Sequence, residues 1–561
     1  METGNFFKSK RFFAAVFFVI LAVGVFLRAY NFEDNLLFGL DQARDWKNAK
    51  QAYDGGIGEL ELLGPRAGGT FFRLGPITTY FQYLPMLVFG DGLAVPSYPD
   101  LLFSVLAIPI FYFFSREYFS KKTSLALMAL FSVSLFAVEY SRFGWNPNSI
   151  PFFVLLFSFA LLRFAREDNP VKKTGFLSLT ALAMGVLVQL HTITMVAAPV
   201  VFIGYLALTK SKIGWKNFLA AAVIFLTLMS PVIVSEFSSG FSNFKAFMDA
   251  LGEESGTKFG MDKKVVVGAY ELSRNYYVIL TSRGDIPELS QVKKSSNIFV
   301  LAKNNTAKTA YILFALLIIA ALAVSFRDIF REYRSLNDIR RKNFLGLFLL
   351  SNAVYVAILI FIADSQDTRY YLGLIFTPFV LLGYYFEMMW ERSEKMRPFL
   401  VGLVAVLVFS GLFQCAKWFD LVEGYAGEER SLKKEYVLEP YFKVTLGQYR
   451  AIADRIEGIH RETGGDVLIY SSVYFKRPIS HILEYERGVE VSDICKTCRK
   501  ADADYYYVDD TKDIEGKIAD LPSKLADDFY VDSYERFGTL TLFYLKLKGG
   551  EDNNYQKNDE Q

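Results

Sequence analysis

The chain has 561 residues, of which 52% are hydrophobic, and its 54 Phe and 33 Tyr contribute to a mean hydropathy of +0.23. A soluble protein of this size does not need so much apolar surface, and the apolar residues cluster in blocks of about 16–20 residues, close to the length of a membrane-spanning helix. The composition therefore excludes a soluble globular protein and predicts a polytopic α-helical membrane protein. The net charge of +2 gives no indication of a nucleic-acid partner.

Eleven apolar stretches are predicted to cross the membrane, at residues 12–28, 98–115, 123–138, 149–163, 174–190, 195–209, 217–234, 309–326, 343–362, 370–390 and 398–415. The first stretch follows Lys8, Lys10 and Arg11, as in a signal peptide, but no small-residue cleavage site follows it. A retained anchor is therefore favoured. Residues 75–89 are apolar but short and contain two prolines, which favours an interfacial or re-entrant helix.

The distribution of basic residues predicts the orientation of these spans. The N-terminus and the connections 116–122, 163–173, 210–216, 327–342 and 391–397 together carry 22 Lys and Arg, whereas the connections 139–148, 191–194 and 364–369 carry 2. Cytoplasmic loops are enriched in Lys and Arg. The N-terminus is therefore predicted to be cytoplasmic, and a first loop (29–97), a long loop (235–307) and the C-terminal part to lie outside a cytoplasmic (cell) membrane.

The chain changes character after residue 415, so that a transmembrane catalytic domain is predicted for residues 1–415 and an extracytoplasmic α/β domain for 416–548. The expected elements of this second domain are a helix at Gln448–Ile459 and strands at Val467–Tyr470, Tyr505–Val508 and Leu540–Leu547. Residues 549–561 are polar and are predicted to be disordered. Cys495 and Cys498 form a C-x-x-C motif without a second pair, which is a weak metal signal and leaves a disulfide and two free thiols equally open.

Several polar residues lie at the predicted outer ends of the spans. Asp41 and Asp45 are four residues apart and therefore share a face of a helix. The other candidates are Arg44, Arg73, Arg142, Asn146, His191, Arg369 and Tyr370.

Each of these residues also has a purely structural interpretation. Asp41 and Asp45 can pair with Arg44 or Lys47, and Arg142 can reach lipid headgroups. His191 can simply end a helix, and the tyrosines can form an interfacial belt. The convergence of the residues on one predicted side of the membrane favours a site.

The chemistry of this set suits group transfer from a lipid-linked phosphate donor. A carboxylate at the membrane surface can act as general base toward an acceptor hydroxyl. Arginines can hold a phosphate through paired hydrogen bonds and stabilise the charge that develops on it as it leaves.

These motifs resemble those of the GT-C superfamily of membrane glycosyltransferases, especially glycosyltransferase family 39, the protein O-mannosyltransferase-like proteins, and the related aminoarabinose transferases. The matching segments are Gly39-Leu-Asp41-Gln-Ala-Arg44-Asp45, Arg73-Leu-Gly-Pro76-Ile-Thr-Thr-Tyr80, Tyr140-Ser-Arg142-Phe-Gly-Trp145-Asn146-Pro147-Asn148, Gln189-Leu-His191 and Arg369-Tyr370 with Pro378. The similarity covers roughly residues 10–390. Many relatives have His-Pro-Pro or Lys-Pro-Pro where this chain has Arg73-Leu-Gly-Pro76.

The resemblance implies an inverting transfer of a sugar from a polyprenyl-phosphate donor to a hydroxyl of a protein, glycan or lipid acceptor. It assigns the general base to Asp41, with Asp45 in support. On this hypothesis, we expect Arg142 and Arg369 to neutralise the donor phosphate and Asn146 and His191 to hold sugar or phosphate. No second acidic motif of the oligosaccharyltransferase type follows Arg142, so no essential metal is expected.

Two alternatives belong to other functional classes. A transporter or flippase of lipid-linked glycans would place ionisable residues near the middle of its spans. The centres of the predicted spans are nearly free of charge, which favours chemistry at the surface. The second alternative is an inactive family member that acts as a scaffold through its C-terminal domain.

Overall fold

The computed structural model describes residues 10–255, 260–284, 306–363, 367–423, 444–494, 502–511 and 513–548. The predicted disordered tail and the Cys495–Cys498 motif lie outside these residues. The described chain is mostly helical and ends in a small sheet domain, which confirms the predicted fold class. It divides into two compact units: one contains residues 10–30 and 46–416, the other residues 31–45, 417–423 and 444–548.

Helices dominate the first unit. Their bounds in chain order are α1 Lys10–Ala29, α2 Leu40–Gly55, α3 Ile77–Phe89, α4 Tyr98–Ser115, α5 Lys121–Ser132, α6 Leu135–Glu139, α7 Ile150–Arg166, α8 Pro170–Leu190, α9 Thr192–Thr209, α10 Trp215–Ser238, α11 Ser242–Ser255, α12 Met261–Thr281, α13 Thr306–Ser335, α14 Ile339–Phe361, α15 Thr377–Arg392 and α16 Arg397–Glu423. The boundary between the units falls inside α2 and near the end of α16.

Within the described residues, nine helices are long and apolar enough to cross a membrane. A tenth span results if the short helix Thr368–Leu374 and α15, which meet at a 44° bend, are counted as one. These ten coincide with ten of the predicted spans, so the chain is a multi-pass membrane protein. The total of eleven crossings stays a prediction.

The remaining predicted span, 123–138, is broken in the structure. α5 ends at Ser132 and α6 begins at Leu135. The polar groups at the break form hydrogen bonds with α12 and with Ser282, the residue that follows α12. The Ser134 hydroxyl donates to the carbonyl of Ile279 (2.8 Å), and the Leu135 amide donates to Ser282 Oγ (2.9 Å). These contacts replace the helical hydrogen bonds that the break removes, which sequence periodicity does not reveal.

The apolar segment 75–89 forms the short helix α3. Its 13 residues extend about 20 Å at a rise of ~1.5 Å per residue, less than the ~30 Å hydrocarbon core. The short helix agrees with the expected length of this segment, and its interfacial or re-entrant position stays a prediction.

The predicted long loop 235–307 contains two helices, α11 and α12, and α12 packs among the spans. The Lys264 ammonium donates to the carbonyl of Phe361 (2.6 Å), and the Tyr276 hydroxyl donates to Asn352 (3.3 Å). α12 was not predicted from the sequence because Glu271 and Arg274 interrupt its apolar pattern; these side chains contact each other at 3.5 Å.

The sheet domain of the second unit begins with α17 (Leu446–Thr463). The elements that follow are β1 Val467–Ser471, α18 Val473–His481, β2 Val491–Asp493, β3 Asp504–Asp509, α19 Ile514–Ala519, α20 Ser523–Ala526, β4 Phe529–Phe537 and β5 Leu540–Leu547. The strand order is β2-β1-β3-β5-β4, with β1 parallel to β2 and β3, and β5 antiparallel to β3 and β4. The predicted helix and three predicted strands are confirmed, and β2 and β4 complete the sheet.

Candidate functional site

The acidic motif lies at the start of α2 and is preceded by a segment that pairs with the sheet domain. The Phe38 amide donates to the carbonyl of Val444 (3.1 Å), and the amide of Leu446 donates to Leu36 (2.8 Å). An isolated antiparallel bridge joins Leu37 to Thr445. The first residues of the sheet domain therefore hold the chain that leads into α2.

Arg44 lies between the two carboxylates of the motif. Its Nη1 donates to Asp41 Oδ1 (2.8 Å), and its Nε donates to Asp45 Oδ1 (2.7 Å). The side chain of Asp41 is 31% exposed, whereas that of Asp45 is only 6% exposed. Burial alone would lower the pKa of Arg44, but the two carboxylates outweigh burial and raise this pKa. The pairing interpretation of Arg44 therefore holds, and Asp41 is the more accessible acid.

A second group of candidates comes together in the first unit, from three connections between helices. This His191–Arg369 cluster consists of Trp145, Asn146, His191, Arg369 and Tyr370. The Arg369 guanidinium carbon lies 4.9 Å from the centroid of the Trp145 ring and 5.3 Å from that of Tyr370. The rings of His191 and Tyr370 lie 5.2 Å apart. Asn146 Nδ2 donates to the carbonyl of Leu190 (2.6 Å) and so links its turn to the end of α8.

Arg369 is held both by stacking and by an ion pair with a neighbouring carboxylate. Among the ion pairs of the described residues, its partner is Asp367, with Nε 3.4 Å from Oδ2. The side chain of Arg369 is 26% exposed to solvent. The backbone of the first loop also approaches it, because a Cβ on Gly68 would lie 3.9 Å from Arg369 Nη2. A cation held on aromatic faces remains able to bind an anion at its edge.

His191 caps a helix and stays neutral. Its Nδ1 accepts a hydrogen bond from the amide of Ile193 (3.2 Å), which caps the N-terminus of α9. Burial and then the nearby Arg369 lower the pKa of His191 to about 3. Because Nδ1 is an acceptor, the proton of the neutral ring is on Nε2, which is a hydrogen-bond donor.

Arg142 has a different environment from the one that the sequence analysis expected. Its side chain is fully buried, and its guanidinium donates to the carbonyls of Arg28 (2.9 Å) and Tyr30 (2.8 Å) at the end of α1. A third carbonyl, that of Leu27, lies at 3.5 Å. These contacts give Arg142 a structural role as a cap of α1, where the sequence had suggested a ligand of the donor phosphate.

Arg73 is engaged in its own loop. Its Nε donates to the carbonyl of Gly64 (2.7 Å), and its Nη2 pairs with the Glu61 carboxylate. Asn243 bonds to both its backbone amide (2.7 Å) and its backbone carbonyl (3.0 Å). Arg73 therefore closes a tight turn of the first loop, next to Gly75, where a Cβ would lie 2.4 Å from Gln189 Cγ.

Asp100 supports the turn that carries Trp145 and was not recognised from the sequence. It is buried in the first turn of α4. Its carboxylate accepts hydrogen bonds from the amide of Trp145 (3.0 Å) and the hydroxyl of Ser149. The one available signal was an acidic residue at the start of an apolar span, which occurs here as Tyr98-Pro-Asp100.

The structure therefore sorts the candidates into groups. His191, Arg369, Tyr370 and Asn146 come together, whereas Arg142 binds the end of α1 and Arg73 binds its own loop. Asp41, Arg44 and Asp45 form a separate set in the second unit. The described residues contain no group of three or more His, Cys, Asp or Glu side chains arranged to hold a metal ion.

Comparison with solved structures finds similar architectures at low identity. ArnT from Cupriavidus metallidurans in the apo state is 12% identical, with a TM-score of 0.48 over 95% of this chain and 97% of that chain. The same protein bound to undecaprenyl phosphate is 12% identical, with a TM-score of 0.49 over 97% and 98%. The apo oligosaccharyltransferase of Archaeoglobus fulgidus is 12% identical, with a TM-score of 0.48 over 91% and 71%.

A family comparison carries more weight for the relationship. No curated protein sequence matches the chain. Residues 74–234 match the family described as dolichyl-phosphate-mannose-protein mannosyltransferase. This segment includes the connections that carry Trp145, Asn146 and His191. Over residues 74–234, the match confirms the resemblance that the motifs of this segment indicated.

Proposed function

We propose that this chain is a glycosyltransferase that moves a sugar from a polyprenyl-phosphate donor to an acceptor hydroxyl at the outer face of a cytoplasmic membrane. The observation that carries the proposal is the His191–Arg369 cluster, which gathers a stacked cation and a neutral imidazole donor. The description of the matched family, which names a dolichyl-phosphate sugar, supports a donor of this chemical class.

Asp41 is the proposed general base. As the acceptor oxygen attacks the anomeric carbon, Asp41 takes the hydroxyl proton, and the bond between the anomeric carbon and the phosphate oxygen breaks. The electron pair of that bond leaves with the polyprenyl phosphate, and the sugar inverts its configuration. Arg44 orients the Asp41 carboxylate through a hydrogen bond of 2.8 Å, and Asp45 holds Arg44 in place.

The His191–Arg369 cluster is the proposed site of the donor phosphate. Arg369 compensates the charge that grows on the leaving phosphate. His191 Nε2–H, Asn146 and the Tyr370 hydroxyl are hydrogen-bond partners for phosphate or sugar oxygens. Since stacking and burial fix these groups before the donor arrives, little reorganisation is needed during the reaction. The reaction is proposed to proceed without an essential metal.

Replacement of Asp41 by Asn tests the base assignment. We expect kcat to fall by about 10²–10⁴-fold, because the amide cannot accept the proton. The measurement is transfer of a labelled sugar from a polyprenyl-phosphate donor by the purified protein in lipid vesicles. Asp54→Asn is the matched control, since Asp54 is also on α2 but pairs with Lys50 (3.0 Å). Near wild-type transfer by a normally inserted Asp41→Asn variant contradicts the assignment.

The same assay separates the proposal from its main alternative. A flippase of lipid-linked glycans moves the labelled donor across the bilayer and leaves the bond between sugar and phosphate intact. Translocation of labelled donor without any transfer product would therefore replace the glycosyltransferase assignment with transport.

A further inference from the structure

An apolar groove of about 680 Å³ lies among α9, α12, α13 and α14. Its volume is in the range of about 300–1,000 Å³ that is usual for ligand sites. Small residues on all four helices create the hollow: Gly204, Ala269, Ala323, Gly346 and Ala353. The groove is not part of the His191–Arg369 cluster, because none of the cluster residues lines it.

The groove is shorter than the hydrocarbon core of a bilayer. Its lining residues run from Ile319 to Tyr333 on α13 and from Gly346 to Val356 on α14, which corresponds to about 21 Å and about 15 Å at a rise of ~1.5 Å per residue. Both lengths are below the ~30 Å of the hydrocarbon core. α14 begins at Ile339, within the basic connection 327–342. The first lining residue of α14, Gly346, therefore lies about two helical turns from the start of this helix.

Two lysines lie near this end of the groove. Leu208 and Tyr333 meet over Gly346, where a Cβ would lie 2.8 Å from Leu208 Cδ2 and 3.2 Å from Tyr333 Cε2. Lys342 is one turn before Gly346, and its Nζ lies 5.7 Å from the centroid of the Tyr333 ring. Lys210 follows Leu208 by two residues, just past the end of α9. Among the described residues, neither lysine forms an ion pair with a carboxylate.

We propose that this groove binds an anionic phospholipid from the leaflet adjacent to the basic connections. The acyl chains occupy the apolar groove, and the headgroup phosphate lies at its end, against Lys342 and Lys210. The two uncompensated charges select an anionic headgroup over a zwitterionic one. This phospholipid is not the proposed sugar donor. The headgroup of the phospholipid lies on the predicted cytoplasmic side, whereas the phosphate of the donor lies on the predicted outer side.

Lipid retention by the full chain tests the headgroup contact. The protein is reconstituted with equal amounts of phosphatidylglycerol and phosphatidylcholine, extracted in mild detergent and analysed by native mass spectrometry. We expect about one phosphatidylglycerol to be retained per chain, and its affinity to fall about fivefold for each replacement in Lys210→Gln and Lys342→Gln. Lys216→Gln is the control, since Lys216 belongs to the same basic connection as Lys210 but lies on α10, which does not line the groove.

Filling the groove tests the acyl-chain contact without changing the charge. Ala353→Leu and Ala323→Leu add bulk to the groove lining on α14 and α13, and each is expected to abolish retention in a protein that still elutes as a single species. Use of two separate walls keeps the test valid if one variant misfolds. Equal retention of phosphatidylcholine, retention of polyprenyl phosphate instead, or a second copy of the chain in the groove would overturn the proposal. Sugar transfer by these variants is a separate readout, so failure of this proposal is distinguishable from failure of the proposed function.

Discussion

Arg142 and Arg369 show what a residue type and its spacing leave open. Both arginines lie at predicted outer span ends, and both were expected to neutralise the donor phosphate. In the structure, Arg142 is fully buried against backbone carbonyls, whereas Arg369 stacks on two rings and stays partly exposed. The difference depends on which carbonyls and rings come close in space, and these contacts join distant parts of the chain. The sequence therefore predicted which residues are candidates, but not which of them have a structural role and which are available to a ligand.

His191 gives a pH-dependent prediction at the same scale. Its pKa is about 3 in the folded protein, against about 6.5 in an unfolded chain. Below pH 6.5 the unfolded chain binds a proton that the folded chain does not, so the free energy of unfolding falls as pH falls from 6.5 toward 3. The slope from this residue is at most ~1.4 kcal/mol per pH unit.

The measurement is the apparent Tm of wild type and His191→Asn at pH 7.5 and pH 5. Asn retains a side-chain acceptor for the cap of α9 but has no titrating group. We expect wild type to lose more apparent Tm than the variant on acidification. An identical loss in both proteins would show that His191 titrates normally in the folded state.

At the scale of elements, apolar periodicity predicted the spans well, and its failures have physical causes. The span 123–138 is broken because α12 supplies hydrogen-bond partners at residues 133–135. α12 itself was missed because its charged residues find partners inside the bundle. The pairing of residues 36–38 with 444–446 had no local signal, since the two segments are about 400 residues apart in the chain and neither forms a strand of the sheet.

This pairing leads to a prediction about Leu446. Replacement of Leu446 by Pro removes the backbone amide that donates to the carbonyl of Leu36. Proline is tolerated at the first position of a helix, which Leu446 occupies in α17. The residue before a proline must be extended, and Thr445 already is (φ −90°, ψ 158°). Loss of this bond is expected to cost ~1–2 kcal/mol locally, and so to raise hydrogen exchange in residues 31–45 about 5–30-fold. Hydrogen–deuterium exchange read by mass spectrometry measures it.

Leu446→Ala is the control for this experiment, because it also truncates the buried side chain but keeps the amide. If both variants change exchange in residues 31–45 equally, the backbone pairing does not hold the segment that leads to Asp41.

At the scale of the whole molecule, the asymmetry of 22 to 2 basic residues predicts the orientation, and labelling checks it. Single cysteines are introduced at Gly58 and Lys212, which are both exposed, after the three native cysteines are replaced. We expect a membrane-impermeant maleimide to label Gly58→Cys in intact cells and Lys212→Cys only after lysis. The reverse pattern would invert the topology and move the proposed chemistry to the cytoplasmic side.

The cap that Arg142 places on α1 has a consequence for biosynthesis. The carbonyls of residues 28 and 30 emerge from the ribosome more than a hundred residues before their partner does. Lipid offers such groups no hydrogen bond, so until Arg142 is synthesised we expect the end of the first helix to lie in the hydrated headgroup region. Once residues 135–148 are in place, the guanidinium of Arg142 replaces water as the hydrogen-bond donor. Arg142 thus makes the maturation of the first span depend on the third connection, and an arrested shorter chain would expose an open helix end to membrane quality control.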